Sequence, residues 1–135
     1  MSAVEAGVAA ALRRAAVYRL LAQAFAYPTP ARLEAIAAAG AEVIAPDTRA
    51  RLAGLADAAA CADSAALAAE YVELFDRAVP CPPYEGAYGT PQMSGKSAQL
   101  ADVAGFYAAF GLAPGAWQPD LEDHIGAELD RKSVV

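Results

Sequence analysis

Apolar positions recur at helical spacing along most of the chain. Val4, Val8, Leu12, Ala16, Leu20, Leu21, Ala24 and Phe25 form one stripe, which predicts a first helix from about Ser2 to Ala26. Arg13, Arg14 and Arg19 fall mostly off that stripe. Pro28 and Pro30 end this helix and open the next. There Thr29 is the cap, Leu33, Ile36 and Ala37 face inward, and Gly40 closes the element. A third helix follows Pro46 and Asp47, with Leu52, Leu55 and Ala59 on one side. A fourth starts near Asp63 or Ser64 and turns Leu67, Tyr71, Leu74 and Phe75 inward, with Glu73 and Arg77 as an i,i+4 pair on the opposite side.

The periodicity then stops. From Val79 to Ser94 the prolines Pro80, Pro82, Pro83 and Pro91, with Gly86 and Gly89, forbid a regular helix. A loop this long inside a compact domain is often functional, and this one carries Tyr84, Glu85 and Tyr88. A fifth helix resumes around Lys96, with Leu100, Val103, Phe106, Tyr107 and Phe110 inward and Gly111 as its cap. A linker holding Trp117 leads to a last helix. Its start reads as Pro119 and Asp120, with acids in the first turn where the helix dipole favours them, and Ile125 and Leu129 inward. After Leu129 the polar run Asp130-Arg131-Lys132 ends the inward pattern. Strand signals are weak, because β-branched residues are sparse and nowhere alternate. The expected fold is all-α: a single-domain bundle of about six helices with a long Pro/Gly/Tyr-rich loop between the fourth and fifth.

Composition supports this reading. The 135 residues are 57% hydrophobic but only 8% aromatic, and alanine supplies much of the difference, which favours closely approaching helices. A chain of this size can bury roughly two-thirds of its unfolded surface. The net charge of −6 argues against a nucleic-acid partner, whose phosphates need a basic face. The N-terminus lacks the early basic residues of a secretory signal, and no apolar run is long enough to insert in a membrane. Cys61 and Cys81 show no zinc or C-x-x-C spacing and are expected as reduced thiols.

Candidate chemistry is sparse. A single histidine, His124, with no patterned cysteine excludes most nucleophilic triads, and no catalytic residue is assigned. Asp120, Glu122, Asp123 and His124 are dense but match neither a zinc nor a calcium loop, so no metal site is expected. Their spacing equally suits plain helix capping. On a helix, Asp123 and His124 would point about 100° apart, so they do not pair with each other, although both can sit at the rim of one groove. The glycines of the loop lack the lysine of a phosphate cradle. Tyr71, Leu74 and Phe75 read most simply as core. Tyr84 and Tyr88, on a proline-stiffened loop, suit either a peptide-contact surface or a cover for the core.

Four blocks in order carry a resemblance. They are Tyr-Val-Glu-Leu-Phe at 71–75, Pro-Pro-Tyr-Glu-Gly-Ala-Tyr at 82–88, Phe-Tyr-Ala-Ala-Phe-Gly-Leu at 106–112 and Glu-Asp-His-Ile-Gly-Ala-Glu-Leu at 122–129. With Tyr18-Arg19-Leu20-Leu21-Ala22 and Phe25-Ala26-Tyr27-Pro28, the set resembles the TorD/DmsD/NarJ family of molybdoenzyme maturation chaperones, across essentially the whole chain. The resemblance implies a cytoplasmic, all-helical chaperone with no catalytic activity and no cofactor of its own. It would bind the apo-catalytic subunit of a molybdoenzyme, or its twin-arginine signal peptide, and hold it until the cofactor is inserted. It implies a peptide groove lined by Tyr71, Leu74, Phe75, Pro83, Tyr84, Glu85, Tyr88, Glu122, Asp123 and His124. The carboxylates would take guanidinium groups and the aromatics the apolar segment.

Two departures stand out. Relatives often have Glu-Pro-x-Asp-His, whereas here the proline comes earlier, at Pro119. The family also continues into further apolar helices where this chain turns polar. The expectation is therefore a TorD/DmsD-like domain over 1–135 without the usual C-terminal helices, prone to homodimerise by helix exchange. The alternatives are a generic helical adaptor for another protein and a weak nucleotide hydrolase.

Overall fold

The computed structural model describes residues 2–39, 46–77, 82–88, 95–111 and 123–133. Six α-helices occur among them: α1 (Ala3–Phe25), α2 (Pro30–Ala39), α3 (Pro46–Cys61), α4 (Ser64–Phe75), α5 (Gly95–Ala109) and α6 (Ile125–Lys132). A short 3-10 turn, Glu85–Ala87, lies between α4 and α5. No strand is present among the described residues, only an isolated antiparallel bridge between Tyr84 and His124.

Local chemistry sets the helix starts. Ser2 and Glu5 form a reciprocal capping box at the head of α1, satisfying two otherwise orphaned amides. Thr29 Oγ1 accepts from the Arg32 amide at 3.3 Å, as its position before Pro30 predicts. Arg32 in turn ties α2 back to α1, donating to Gln23 Oε1 at 2.9 Å and to the Tyr27 carbonyl. Asp63 caps α4 through the amides of Ala65 and Ala66, both at 2.9 Å. At the tail of α5 Gly111 has φ +70°, the left-handed conformation that glycine adopts without steric cost.

The core is built where α1, α2 and α3 converge. Leu20, Leu33, Ile36 and Ala59 are buried, with Val17, Ala24, Leu52, Leu55 and Leu67 of α4 packed against them. Burying each large side chain here contributes about 1.5–3 kcal/mol. On the other side of α1 lies α6. Ala22 and Ala127 are both buried there, and a Cβ on Gly126 would stand 3.4 Å from the Ala22 carbonyl oxygen. Small residues on both helices permit that approach.

Several expectations need correction. Val4, Val8 and Leu12 are exposed rather than buried. With 23 residues, α1 is about 35 Å long, while the 10-residue α2 spans about 15 Å, and the buried positions of α1 are in its second half. Phe106 and Phe110 lie against each other, with ring centroids 5.0 Å apart, but remain 62% and 65% exposed. The side of α5 that is covered carries Leu100, Val103 and Tyr107. Leu74 is exposed, because α4 turns Tyr71 and Phe75 toward the rest of the molecule instead.

The last helix also differs from its prediction. It starts at Ile125, not near Asp120, and it continues past Leu129 to Lys132. Arg131 is buried in spite of its charge, with its guanidinium carbon 3.6 Å above the centre of the Tyr107 ring. That cation–π contact explains why a polar run extends the packed face rather than ending it. The Glu73–Arg77 pair forms at 3.6 Å on an open surface, where such a pair contributes little. Cys61 is a free, exposed thiol. Gly40, Cys81, Trp117, Pro119, Asp120 and Glu122 lie outside the described residues. No single helix among the described residues is long and apolar enough to cross a membrane.

Candidate functional site

The site is organised by two short extended segments that meet side by side. The Glu85 amide donates to the Asp123 carbonyl at 2.9 Å, and the Ile125 amide donates to the Pro83 carbonyl at 2.8 Å. The prolines explain the geometry. Pro82 and Pro83 have no amide to offer and favour extended backbone, so Pro83 contributes only its carbonyl to the pairing. This bridge fixes the Tyr84–Tyr88 turn against the start of α6. Tyr88 closes the turn by donating its hydroxyl to the Pro82 carbonyl at 2.9 Å.

His124 is the most buried large side chain of the described residues, 1% exposed. Its Nδ1 accepts from the Gly126 amide at 3.0 Å, so the side chain caps α6. An accepting Nδ1 leaves the proton of the neutral ring on Nε2, which lies 3.4 Å from the Tyr71 hydroxyl. That hydroxyl donates to the Phe25 carbonyl at 3.2 Å. A single polar relay thus joins α6, α4 and the end of α1. The Tyr84 ring closes over the imidazole edge to face, with centroids 5.2 Å apart.

Asp123 is buried beside it, 3% exposed. Its Oδ2 accepts from the Gly86 amide at 3.2 Å and so holds the 3-10 turn. Its Oδ1 is buried with no hydrogen-bond partner among the described residues. Asp123 faces a cavity of about 240 Å³, and His124 lies behind the wall. The cavity has two kinds of wall. Phe25, Phe75, Tyr84, Tyr88 and Ile125 are aromatic or apolar, and Asp123, Glu85 and Glu128 are acidic. Burial first, and then the neighbouring Glu85 carboxyl, push the Glu128 carboxyl above its ordinary value, while Lys132 pulls the other way.

A second, smaller hollow of about 130 Å³ shares Phe75 with the first. Besides Phe75 it is lined by Ala24, Ala26, Pro28, Leu67, Glu70, Tyr71 and Leu74. Tyr27, Tyr71 and Phe75 form a continuous aromatic row beside it, with ring centroids 5.4 and 4.8 Å apart. The two hollows share Phe75; three carboxylates line the larger one, and Glu70 lines the smaller.

The structure gathers most of the residues expected for a groove. Tyr84, Glu85, Tyr88, Pro83 and Asp123 line the acidic hollow, Tyr71 and Leu74 the apolar one, and Phe75 both. His124 is not on either wall, and Glu122 lies outside the described residues. The pattern reading missed Phe25, Ile125 and Glu128. Its phase for α6 was set from Asp120. Counted from a cap at His124, Ile125 and Glu128 are three apart and share one helix face. No group of three or more His, Cys, Asp or Glu among the described residues is arranged to hold a metal ion.

Comparison with known proteins gives a consistent answer. The family model described as nitrate reductase delta subunit matches residues 41–133, more than half of the chain. The crystal structure of a protein described as a redox enzyme maturation protein, from Archaeoglobus fulgidus, is similar with a TM-score of 0.69 at 27% identity. That match covers 89% of this chain and 70% of the other. No curated protein sequence matches the chain significantly.

Proposed function

The chain belongs to the nitrate reductase delta subunit family, a family of redox enzyme maturation chaperones rather than enzymes, and from that premise we propose that it binds the N-terminal, twin-arginine signal region of a molybdoenzyme catalytic subunit. It would do so in the cytoplasm, before export, and keep the subunit available for cofactor insertion. The observation that carries this reading is the pair of hollows that share Phe75, the larger with Asp123, Glu85 and Glu128 on its wall. A signal region brings arginines followed by an apolar segment. Asp123, Glu85 and Glu128 offer charge-assisted hydrogen bonds in the larger hollow. Leu67, Leu74, Tyr71 and Pro28 offer apolar contact in the smaller. The row of Tyr27, Tyr71 and Phe75 beside the smaller hollow supplies aromatic area from rings that already contact one another, which lowers the ordering cost of binding.

Calorimetry with twin-arginine peptides tests this reading. Micromolar binding, lost when both arginines are replaced by glutamine and weakened when the apolar segment is made polar, supports it. No binding to several such peptides, and none to a molybdoenzyme apo-subunit, overturns it. Homodimerisation belongs to the same reading. Val4, Val8 and Leu12 stand exposed in one i,i+4 row along α1, a face that a second copy would cover, and sedimentation at rising concentration measures it.

A further inference from the structure

Glu5, Leu12 and Arg19 stand seven residues apart on α1, and all three are exposed. Seven residues are close to two helical turns, so the three share one side of the helix with a drift of only about 20° per step. Val8 lies on the same side, one turn before Leu12, and is exposed as well. Arg13 and Arg14 fall about 100° and 160° around the helix from Leu12 and stand clear of that line. Along the axis the line is a carboxylate, two apolar side chains and a guanidinium. Its charged ends are opposite in sign and equally far from Leu12, about 10.5 Å each way.

Both ends can take a partner. Arg19 pairs with no carboxylate of the described residues. Glu5 is held in place by the capping box, where its Oε2 accepts from the Ser2 amide, and that bond uses one of its two oxygens. A charge already fixed in position costs less to pair.

We propose that this line is a self-complementary seam, on which a second copy of the chain docks antiparallel with Leu12 at the two-fold axis. The inference rests on the homodimerisation proposed above and adds its symmetry, its register and its charge dependence; no helix is exchanged. Leu12 meets Leu12, Val8 meets the small Ala16, and Glu5 of each copy meets Arg19 of the other. Two ion pairs then flank an apolar centre, and the contact is isologous and closed. Parallel docking would set Glu5 on Glu5 and Arg19 on Arg19, and like charges at both ends oppose it. An anionic bilayer surface would be repelled by Glu5, and a cationic partner by Arg19. The face calls for a partner with a positive end, an apolar centre and a negative end, which is what the same face presents when reversed.

Sedimentation equilibrium of the full chain tests the pairing, at up to about 100 µM because one helix face makes a small interface. Glu5→Arg and Arg19→Glu each place like charges at both ends of the seam, and each should weaken the dimer by about tenfold or more. An equimolar mixture of the two variants regains both ion pairs in a heterodimer and should associate as tightly as the parent. Circular dichroism checks that Glu5→Arg, which gives up the capping box, stays folded. A second measurement reads the register without touching either charge. In a Cys61→Ser, Cys81→Ser background, Leu12→Cys should form a disulfide-linked dimer on oxidation, since packed helices bring facing Cα atoms within bridging distance. Val4→Cys should not, because its two copies lie about 24 Å apart along the axis. A dimer indifferent to both charge reversals, or one in which Val4→Cys cross-links and Leu12→Cys does not, overturns the seam and leaves homodimerisation standing. A parent chain that is monomeric throughout overturns both, and its cosedimentation with phosphatidylglycerol vesicles would give the face to a membrane surface instead. Signal-peptide binding is measured separately by calorimetry and does not depend on any of these outcomes.

Discussion

Tyr84 and His124 face each other across an isolated antiparallel bridge, with the phenol ring set edge to face on the imidazole at 5.2 Å and 73°. The bridge joins a loop to a helix start, and the imidazole is the part that both depend on. Its Nδ1 caps α6 and its Nε2 reaches Tyr71, so its role is to position the site rather than to touch a ligand.

Replacing His124 by Ala removes the cap, the Tyr84 ring contact and the Tyr71 partner together. The expected loss is about 2–4 kcal/mol, from a missing cap and a truncated buried ring. His124→Asn keeps a side-chain acceptor that can cap Gly126 and should recover about 1 kcal/mol of that loss. Urea melts of the two variants check the ranking. Equal stability of both would show that the imidazole acts only by filling space.

Asp123 separates binding from stability. Asp123→Asn keeps an oxygen for the Gly86 amide and replaces a buried carboxyl whose Oδ1 has no partner among the described residues. Its melting temperature should stay level or rise. Affinity for an arginine-bearing segment should fall about 10–100-fold, the worth of one charge-assisted hydrogen bond at about 1.5–3 kcal/mol. Measuring both on one preparation decides the matter, and a fall in melting temperature with affinity unchanged would make Asp123 a structural cap.

Gly126 sets how closely α6 can lie on α1. A Cβ there would stand 3.1 Å from His124 Nδ1 and 3.4 Å from the Ala22 carbonyl oxygen. The imidazole cannot swing away without giving up the cap on that same residue's amide. Gly126→Val should therefore cost about 1–3 kcal/mol through overpacking, although Gly is the poorer helix former. Hydrogen exchange at the α6 amides should quicken relative to α2, which is built into a separate contact.

Helix existence was legible because capping chemistry is local. Ser2, Thr29, Asp63 and Gly111 each act where their residue type predicts. What covers each apolar stripe was not legible, since period reports which side is apolar and not which neighbour is long enough to reach it. Val4, Val8, Leu12, Phe106 and Phe110 were assigned inward for that reason and are exposed. At the site, Asp123 is singled out by the family resemblance, while its spacing alone suits plain helix capping. Glu128 is not, because its position on the cavity wall depends on His124 being a cap rather than a helical residue. An imidazole is an uncommon cap, and the acids before it suggested an earlier start. Pairing of Pro83 with Ile125 joins positions 42 apart in sequence, which no local pattern records.

Glu128 makes folding stability depend on pH in a direction opposite to the usual carboxylate. Burial and then Glu85 raise its folded-state value above that of the unfolded chain. The folded protein therefore holds this proton more tightly than the unfolded chain does. The stabilisation is fully present below the ordinary glutamate range, near pH 4.5, and is lost as pH rises through the raised value. Once ionised, Glu128 sits beside Glu85 and Asp123 at a net cost, only partly offset by Lys132. Glu128→Gln removes that cost and keeps a hydrogen-bond donor for Glu85. Its melting temperature should exceed that of the parent at pH 7 to 8, and the gap should close toward pH 4. Thermal melts across that range check the sign. A gap that widens on acidification would mean that Glu128 is stabilised as an anion and that Lys132, not Glu85, dominates its surroundings.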